Sequence, residues 1–293
     1  MGLVDFFHPK TLEEAKALVH KYPRTKVLAG GTDLILNLRR GEVNCDYLIS
    51  LEEVGELRTI VDDRDCISIG AMTTFTDLLN SKTIRDTFNS LVNCSSTMGS
   101  PQVRNAATIG GNIINAGSAA DAVTCIIGLD GILILESIDG IRRVTCEEYF
   151  NNFKEEEIKE DEILTTVVIP KTKATTGYYK LGKRNSLAIA RLSSAVGIYT
   201  EGWIIKEVKI CLGAVGRHPF RVTTLEKTAI NKHVHWLFKE EGLNILSEAV
   251  EKSIGGRNTM PFKREAIKGV FKAALNNALT GSDDMLKAHG ERS

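Results

Sequence analysis

Gly99-Ser100-Pro101-Gln102-Val103-Arg104-Asn105-Ala106-Ala107-Thr108-Ile109-Gly110-Gly111-Asn112-Ile113 is the stretch on which the reading of this chain turns. Gly, Pro, Asn and Ser crowd it, so the sequence predicts a long ordered loop over 99–117 with a glycine pair at Gly110-Gly111. A second pair stands upstream in Ala29-Gly30-Gly31-Thr32-Asp33-Leu34. There Val27-Leu28-Ala29 reads as a short buried strand. Leu34, Ile35 and Leu38 mark a helix that Thr32 or Asp33 can cap. Adjacent glycines permit positive φ and let a ligand approach the backbone closely. Free N–H groups at a helix start attract an anion, and a pyrophosphate fits such a nest without a metal. Thr108 and Asn112 add side-chain donors to the second segment. Either glycine pair alone reads more readily as a tight turn. Two of them suggest two walls of one elongated site, long enough for a dinucleotide.

Working outward, Thr11-Leu12-Glu13-Glu14 has the form of a capping box, and Leu12, Ala15, Leu18 and Val19 continue it as a helix over 11–21. Tyr47 to Leu51 reads as a strand, as does Ile67 to Ala71, which a helix over Phe75–Leu79 follows. Ala119 to Leu129 reads as a buried helix. Asp139-Gly140 turns a hairpin between Ile132–Leu135 and Ile141–Val144. The acidic run 152–162 reads as solvated surface, and Ile163–Ile169 as a strand ending at Pro170. Lys171 to Gly177 reads as a polar linker. Beyond it come strands over Tyr178–Leu181, Ala195–Thr200 and Trp203–Leu212, with Glu201-Gly202 as a turn. After Pro219 the pattern is helical. One helix carries Leu243, Leu246, Val250 and Ile254, and another carries Phe262, Ile267, Val270, Phe271, Leu275 and Leu279. The last dozen residues are polar and are expected to fray.

The chain has 293 residues, 43% hydrophobic and 25% charged, with Lys+Arg and Asp+Glu balanced at 37 each. That length buries a substantial core in two domains or one large one. Balanced charge supplies no bulk field for nucleic acid or an anionic membrane, so an anionic ligand must be held by local geometry. No run reaches the ~18 apolar residues of a membrane span, and the N-terminus lacks the pattern of a signal peptide. Cys45, Cys66, Cys94, Cys125, Cys146 and Cys211 are scattered without a C-x-x-C pair. That spacing argues against a zinc site or an iron–sulfur cluster in this chain and for buried thiols in a reducing cytosol.

Other nucleotide signatures fail. There is no G-x-G-x-x-G, which argues against a Rossmann site. Gly177-Tyr178-Tyr179-Lys180-Leu181-Gly182-Lys183 matches G-x-x-x-x-G-K, but Arg184 replaces the magnesium-binding Ser or Thr. Two tyrosines and a leucine would crowd a phosphate cradle, so the match reads as a strand. His233 and His235 lack a third ligand nearby and read as a surface pair.

Ala29 to Leu34, Ile69-Gly70-Ala71-Met72-Thr73-Thr74-Phe75 and Gly99 to Ile113 closely resemble the FAD-binding subunit of the molybdenum hydroxylases, the xanthine dehydrogenase family. The resemblance continues through Tyr178-Tyr179-Lys180-Leu181 and Pro261-Phe262-Lys263-Arg264. It implies an α+β architecture: a two-lobed FAD-binding fold of the vanillyl-alcohol oxidase type over 1–172, with lobes of about 1–55 and 56–172. A C-terminal α/β domain, CO dehydrogenase flavoprotein C-terminal-like, would follow over 177–286. It further implies that Val27, Leu28, Ala29, Gly30, Gly31, Thr32, Asp33 and Leu34 line the pyrophosphate. Thr108, Ile109, Gly110, Gly111 and Asn112 would hold the phosphate and ribityl portion, with Ile114 against the ring system. Asp121 matches a cofactor-bonding aspartate, Leu164 a position on the adenine side, and Lys180 a lysine near the flavin. Read from the residues alone, Asp121 is equally a first-turn residue of a helix, Leu164 is core, and Lys180 is a surface lysine.

The resemblance also implies a cytoplasmic electron-transfer subunit with no catalytic base or metal of its own. Partner subunits would carry molybdopterin and two [2Fe–2S] clusters, and FAD would pass electrons to NAD or another acceptor. Met98 stands where some members stack an aromatic residue on the flavin; a thioether packs there but weakens the case for nicotinamide. Xanthine is the first expectation for the substrate of the complex, with nicotinate or another N-heterocycle or aromatic compound second. A stand-alone flavin oxidoreductase, with His218 or Lys180 handling protons, is the rival enzyme reading. A nucleotide-binding module without redox function is the third.

Overall fold

The computed structural model describes residues 3–115, 117–152, 157–182 and 189–280. The chain opens with β1 (Asp5–Phe7), α1 (Leu12–Lys21), β2 (Thr25–Leu28), α2 (Leu34–Arg40) and β3 (Tyr47–Ser50). It continues through β4 (Ile60–Asp62), β5 (Cys66–Gly70), α3 (Phe75–Asn80), α4 (Lys82–Thr87), α5 (Asn89–Thr97), α6 (Pro101–Ala106), α7 (Ile109–Ile114) and α8 (Asp121–Gly128). Next are β6 (Ile132–Ser137), β7 (Gly140–Thr145), α9 (Cys146–Asn151), β8 (Ile163–Pro170) and β9 (Thr175–Leu181). The rest is β10 (Leu192–Glu201), β11 (Ile204–Gly213), β12 (Phe220–Arg221), α10 (Thr223–Ala229), α11 (Glu240–Ile254) and α12 (Met260–Thr280). These elements form two compact units: the first from 1–78, 100–116 and 130–170, the second from 79–99, 117–129 and 171–293.

The first unit has the two lobes of the expected α+β fold. Its N-terminal lobe is a parallel three-stranded sheet, β1-β3-β2, and its second lobe is the antiparallel sheet β4-β5-β8-β6-β7. Helix α1 starts where Thr11 Oγ1 accepts the Glu14 N–H at 3.2 Å, while the Glu14 carboxylate accepts the N–H of Lys10. Only the first half of the capping box forms. Leu12, Ala15 and Val19 bury one face of α1. Lys16 on that helix pairs with Glu13 at 2.6 Å and Glu136 of β6 at 3.6 Å, tying the lobes together. The β6–β7 hairpin forms one position earlier than expected: Ser137 pairs with Gly140, so Ile138-Asp139 is the two-residue turn and Gly140 opens β7.

The loop expected over 99–117 is not irregular: it contains α6 and α7. Pro101 occupies the first turn of α6, where its missing N–H has no partner to lose, and the Ser100 hydroxyl accepts the N–H of Val103. Thr108 caps α7 through Gly111 N–H. Caps at both starts outweigh the low helix propensity of the composition. The run 152–162 is not wholly solvated either. Glu162 is buried and bonds Arg142 at 2.8–2.9 Å; residues 153–156 lie outside the described residues. So do Lys183, Arg184 and the last dozen residues, on which the Walker-type comparison and the expected fraying fell.

The second unit is built on the antiparallel sheet β12-β11-β10-β9. Gly202, at φ +59°, makes the β10–β11 turn. Helix α12 buries Ile267, Val270, Phe271, Ala274, Leu275 and Ala278, and β9 begins at Thr175, inside the expected linker. Gly177 is therefore a strand residue. A Cβ there would lie 2.3 Å from Ala274 O and from Ala278 N, so the glycine lets α12 cross β9 at close range. Its role is packing, not phosphate binding. Five cysteines are buried and Cys66 is half-buried, all as free thiols. Among the described residues no helix is long and apolar enough to cross a membrane.

Candidate functional site

In the first unit the two glycine segments come together. A Cβ on Gly30 would sit 1.7 Å from the carbonyl oxygen of Ala106, at the end of α6, and one on Gly111 would sit 3.6 Å from Ala29 Cβ. Gly30 is thus required by close packing of the upstream loop on α6. Gly31, at φ +69°, holds a left-handed turn that an L side chain rarely adopts. Gly110 packs on Ala71: an added Cβ would lie 2.6 Å from Ala71 Cβ and 2.8 Å from its carbonyl oxygen.

The two segments differ in their free donors. Among the described residues, the backbone N–H groups of Ala29, Gly30, Gly31, Thr32, Asp33 and Leu34 have no intramolecular acceptor. Asp33 stands at the N-cap of α2 and makes no side-chain cap bond, contrary to the expectation that Thr32 or Asp33 caps this helix. An internal cap would have consumed a donor; its absence leaves the run open to a ligand. Polar groups of a packed loop are nearly always paired, so six successive open donors fit an anionic partner such as a pyrophosphate.

The α7 start offers no such nest. Ile109 N–H donates to Thr73 O at 3.0 Å, Gly110 N–H to Ala71 O at 2.9 Å, and Gly111 N–H to Thr108 Oγ1 at 3.0 Å. The expectation that both segments share one character is corrected: the second is a wall held against 71–73. Thr108 is buried as the cap, while Gly111, Asn112 and Ile114 are half-buried along the wall. Leu164 is buried in β8, opposite Leu135 of β6. Its side chain belongs to the core, leaving its backbone for any contact.

In the second unit Asp121 is the first residue of α8 and is buried. Its Oδ1 accepts the Tyr178 hydroxyl at 2.5 Å and its Oδ2 accepts Lys180 Nζ at 2.6 Å. Lys180 is therefore no surface lysine; its side chain is 8% exposed and Asp121's 5%. Burial raises the Asp121 carboxyl pKa, and the charge and hydrogen bond of Lys180, then the Tyr178 hydroxyl, oppose that rise without cancelling it. Burial beside this carboxylate also drives the Tyr178 phenol well up. Tyr178 was missed as a site residue. Strand alternation, which puts 178 and 180 on one face of β9, was the available signal.

Burial, and then the charge of Arg217, lower the pKa of His218. His233 Nδ1 accepts the His235 N–H at 3.2 Å, and the His233 ring stacks on Trp203. Met98, half-buried, ends α5.

Comparison with known proteins is consistent throughout. The family model "FAD binding domain in molybdopterin dehydrogenase" matches residues 3–172, and "CO dehydrogenase flavoprotein C-terminal domain" matches 177–278. The nicotinate dehydrogenase FAD-subunit of Eubacterium barkeri is 34% identical, covering 92% of this chain and 93% of that one. The putative xanthine dehydrogenase FAD-binding subunit of Escherichia coli K12 is 26% identical, covering 94% and 96%. A solved carbon monoxide dehydrogenase from Hydrogenophaga pseudoflava superposes with a TM-score of 0.86 at 26% identity, covering 96% of this chain and 98% of that one. Fold, open donor run and sequence agree: the chain belongs to the FAD-binding subunits of the molybdenum hydroxylases, and its cofactor is FAD.

Proposed function

We propose that this chain is the FAD subunit of a complex that hydroxylates nicotinate or a related N-heterocycle. The observation carrying this reading is the 34% identity to the nicotinate dehydrogenase FAD-subunit, against 26% to the xanthine dehydrogenase subunit, at near-complete coverage of both. Xanthine, the first expectation from sequence, becomes the second substrate to test. Partner chains of the complex hold the molybdopterin and the [2Fe–2S] clusters, and NAD is the acceptor to test first. Buried free thiols fit a cytoplasmic setting.

FAD, when bound, supplies one- and two-electron chemistry between a cluster and an acceptor. The chain's own residues bind and orient it. Val27 to Leu34 line the pyrophosphate, and Ala29 to Leu34 offer it their open N–H groups. Thr108 to Asn112 and Ile114 form the wall for the ribityl chain and ring, and the Leu164 backbone lies on the adenine side. Asp121 and Lys180 are the further cofactor contacts that the family resemblance suggests. The two domains are 1–172 and 177–286.

An affinity tag on this chain, with its partners co-purified, tests the reading. Dye reduction driven by nicotinate and not by xanthine is the expected result, followed by the same assay with NAD. Xanthine-driven turnover without nicotinate turnover would reverse the substrate assignment.

A further inference from the structure

The Asp121–Lys180 pair has a third member that the family resemblance does not assign. Tyr178 is 1% exposed and stands two residues before Lys180 on the same face of β9. It is fixed at its backbone: its carbonyl accepts Asn277 Nδ2–H at 2.9 Å, and β9 is clamped under α12 at Gly177. The phenol therefore has little freedom, and its hydroxyl meets Asp121 Oδ1 while Lys180 takes Oδ2. Each carboxylate oxygen has its own donor.

We propose that Tyr178 is a positioning residue for the cofactor contacts: its hydroxyl holds the Asp121 carboxylate turned toward Lys180, so that the lysine meets FAD with Asp121 fixed as its partner. The inference rests on the proposed role of Asp121 and Lys180 in binding FAD. The charge environment is simple. Lys180 and Tyr178 face Asp121 from β9, Cys125 from its own helix; Cys94 of α5 and Cys211 of β11 lie close to Cys125. All three thiols are fully buried, and burial drives the Cys125 thiol well above the ordinary range. Among the described residues Lys180 is the one cation acting on the carboxylate, and the phenol supplies the remaining donor. Without it, a buried oxygen loses its partner and Asp121 takes up a proton more readily. Lys180 then carries an unbalanced charge.

The test uses the full-length protein and the variants Tyr178→Phe, Asp121→Asn and Lys180→Met. Phe preserves the buried ring, and thermal unfolding of the apoprotein checks that the core is intact. Infrared titration of the apoprotein follows the protonated-carboxyl band that Asp121→Asn removes. In Tyr178→Phe the midpoint of this band should rise by about one pH unit, the scale of one hydrogen bond to a charged group. FAD titration by fluorescence quenching should show the acid limb of the Kd–pH profile moving up by the same amount, while Asp121→Asn abolishes that limb. An unmoved infrared midpoint in Tyr178→Phe overturns the inference, whatever FAD does. If instead the midpoint moves but Asp121→Asn and Lys180→Met leave Kd unchanged at every pH, the cofactor role of the pair fails, and the inference with it.

Discussion

Gly30→Ala is the sharpest test of how the glycine segments work. The added methyl would lie 1.7 Å from the Ala106 carbonyl oxygen, where ordinary contact begins near 3.4 Å. The obstacle is backbone on both sides, so no rotamer change relieves it. The loop and α6 must separate by roughly 1.5 Å. Hydrogen bonds weaken steeply beyond their normal length, so such a shift would spoil at least two of the N–H contacts proposed for the pyrophosphate. Each charge-assisted bond is worth about 1.5–3 kcal/mol. Two of them correspond to about 3–6 kcal/mol, or roughly a 10²- to 10⁴-fold rise in the FAD Kd. Overpacking also costs about 1–3 kcal/mol of stability. Fluorescence titration of the apoprotein with FAD measures the first effect and urea unfolding the second. Gly41→Ala is the control: Gly41 has φ +70° but open space around it, and lies beyond the proposed cofactor contacts. It should lose about 1 kcal/mol of stability and keep its affinity. If Gly30→Ala binds FAD within threefold of the parent, the donor-run account of the site is wrong.

Gly111→Val crowds the Thr108 hydroxyl, already 3.0 Å from an added Cβ, and pushes toward Ala29; flavin content of the purified protein should fall at least about tenfold, and full occupancy would remove this wall from the site. Gly177→Ala should destabilise the second unit by about 3 kcal/mol through its clash with α12, read as a lower urea midpoint without FAD; an unchanged midpoint would contradict the close crossing. Burial would raise the Glu162 pKa, but hydrogen bonds from Arg142 and the Lys159 N–H, with the Arg142 charge, outweigh it and leave it lowered. The pair should therefore stabilise the fold above the unfolded value of about 4.3 and lose that effect as pH falls through the folded value. Glu162→Gln should cost about 2 kcal/mol at neutral pH and much less in acid; a gap independent of pH would refute the sign.

Much of this protein was legible along the chain because local rules and tertiary packing agree. The strand-to-helix passage at Leu28–Leu34, the presence of the β6–β7 hairpin and the apolar period of α12 each follow from residue spacing. The wording of 99–113 identified the cofactor. Composition misled where caps mattered: Ser100 and Thr108 make helices of a segment whose Gly and Asn content reads as loop. What only the tertiary structure decided is the work each group does. Gly30 and Gly31 look alike in sequence, yet one is required by the Ala106 carbonyl and the other by its φ. The glycine pairs look alike too, but Thr73, Ala71 and Thr108 consume the donors of one, and among the described residues nothing consumes those of the other. Lys180 reads as a solvated strand lysine until α8 brings Asp121 against it. In each case the deciding partner is distant in sequence, and hydrogen-bond satisfaction and charge burial depend on three-dimensional neighbours.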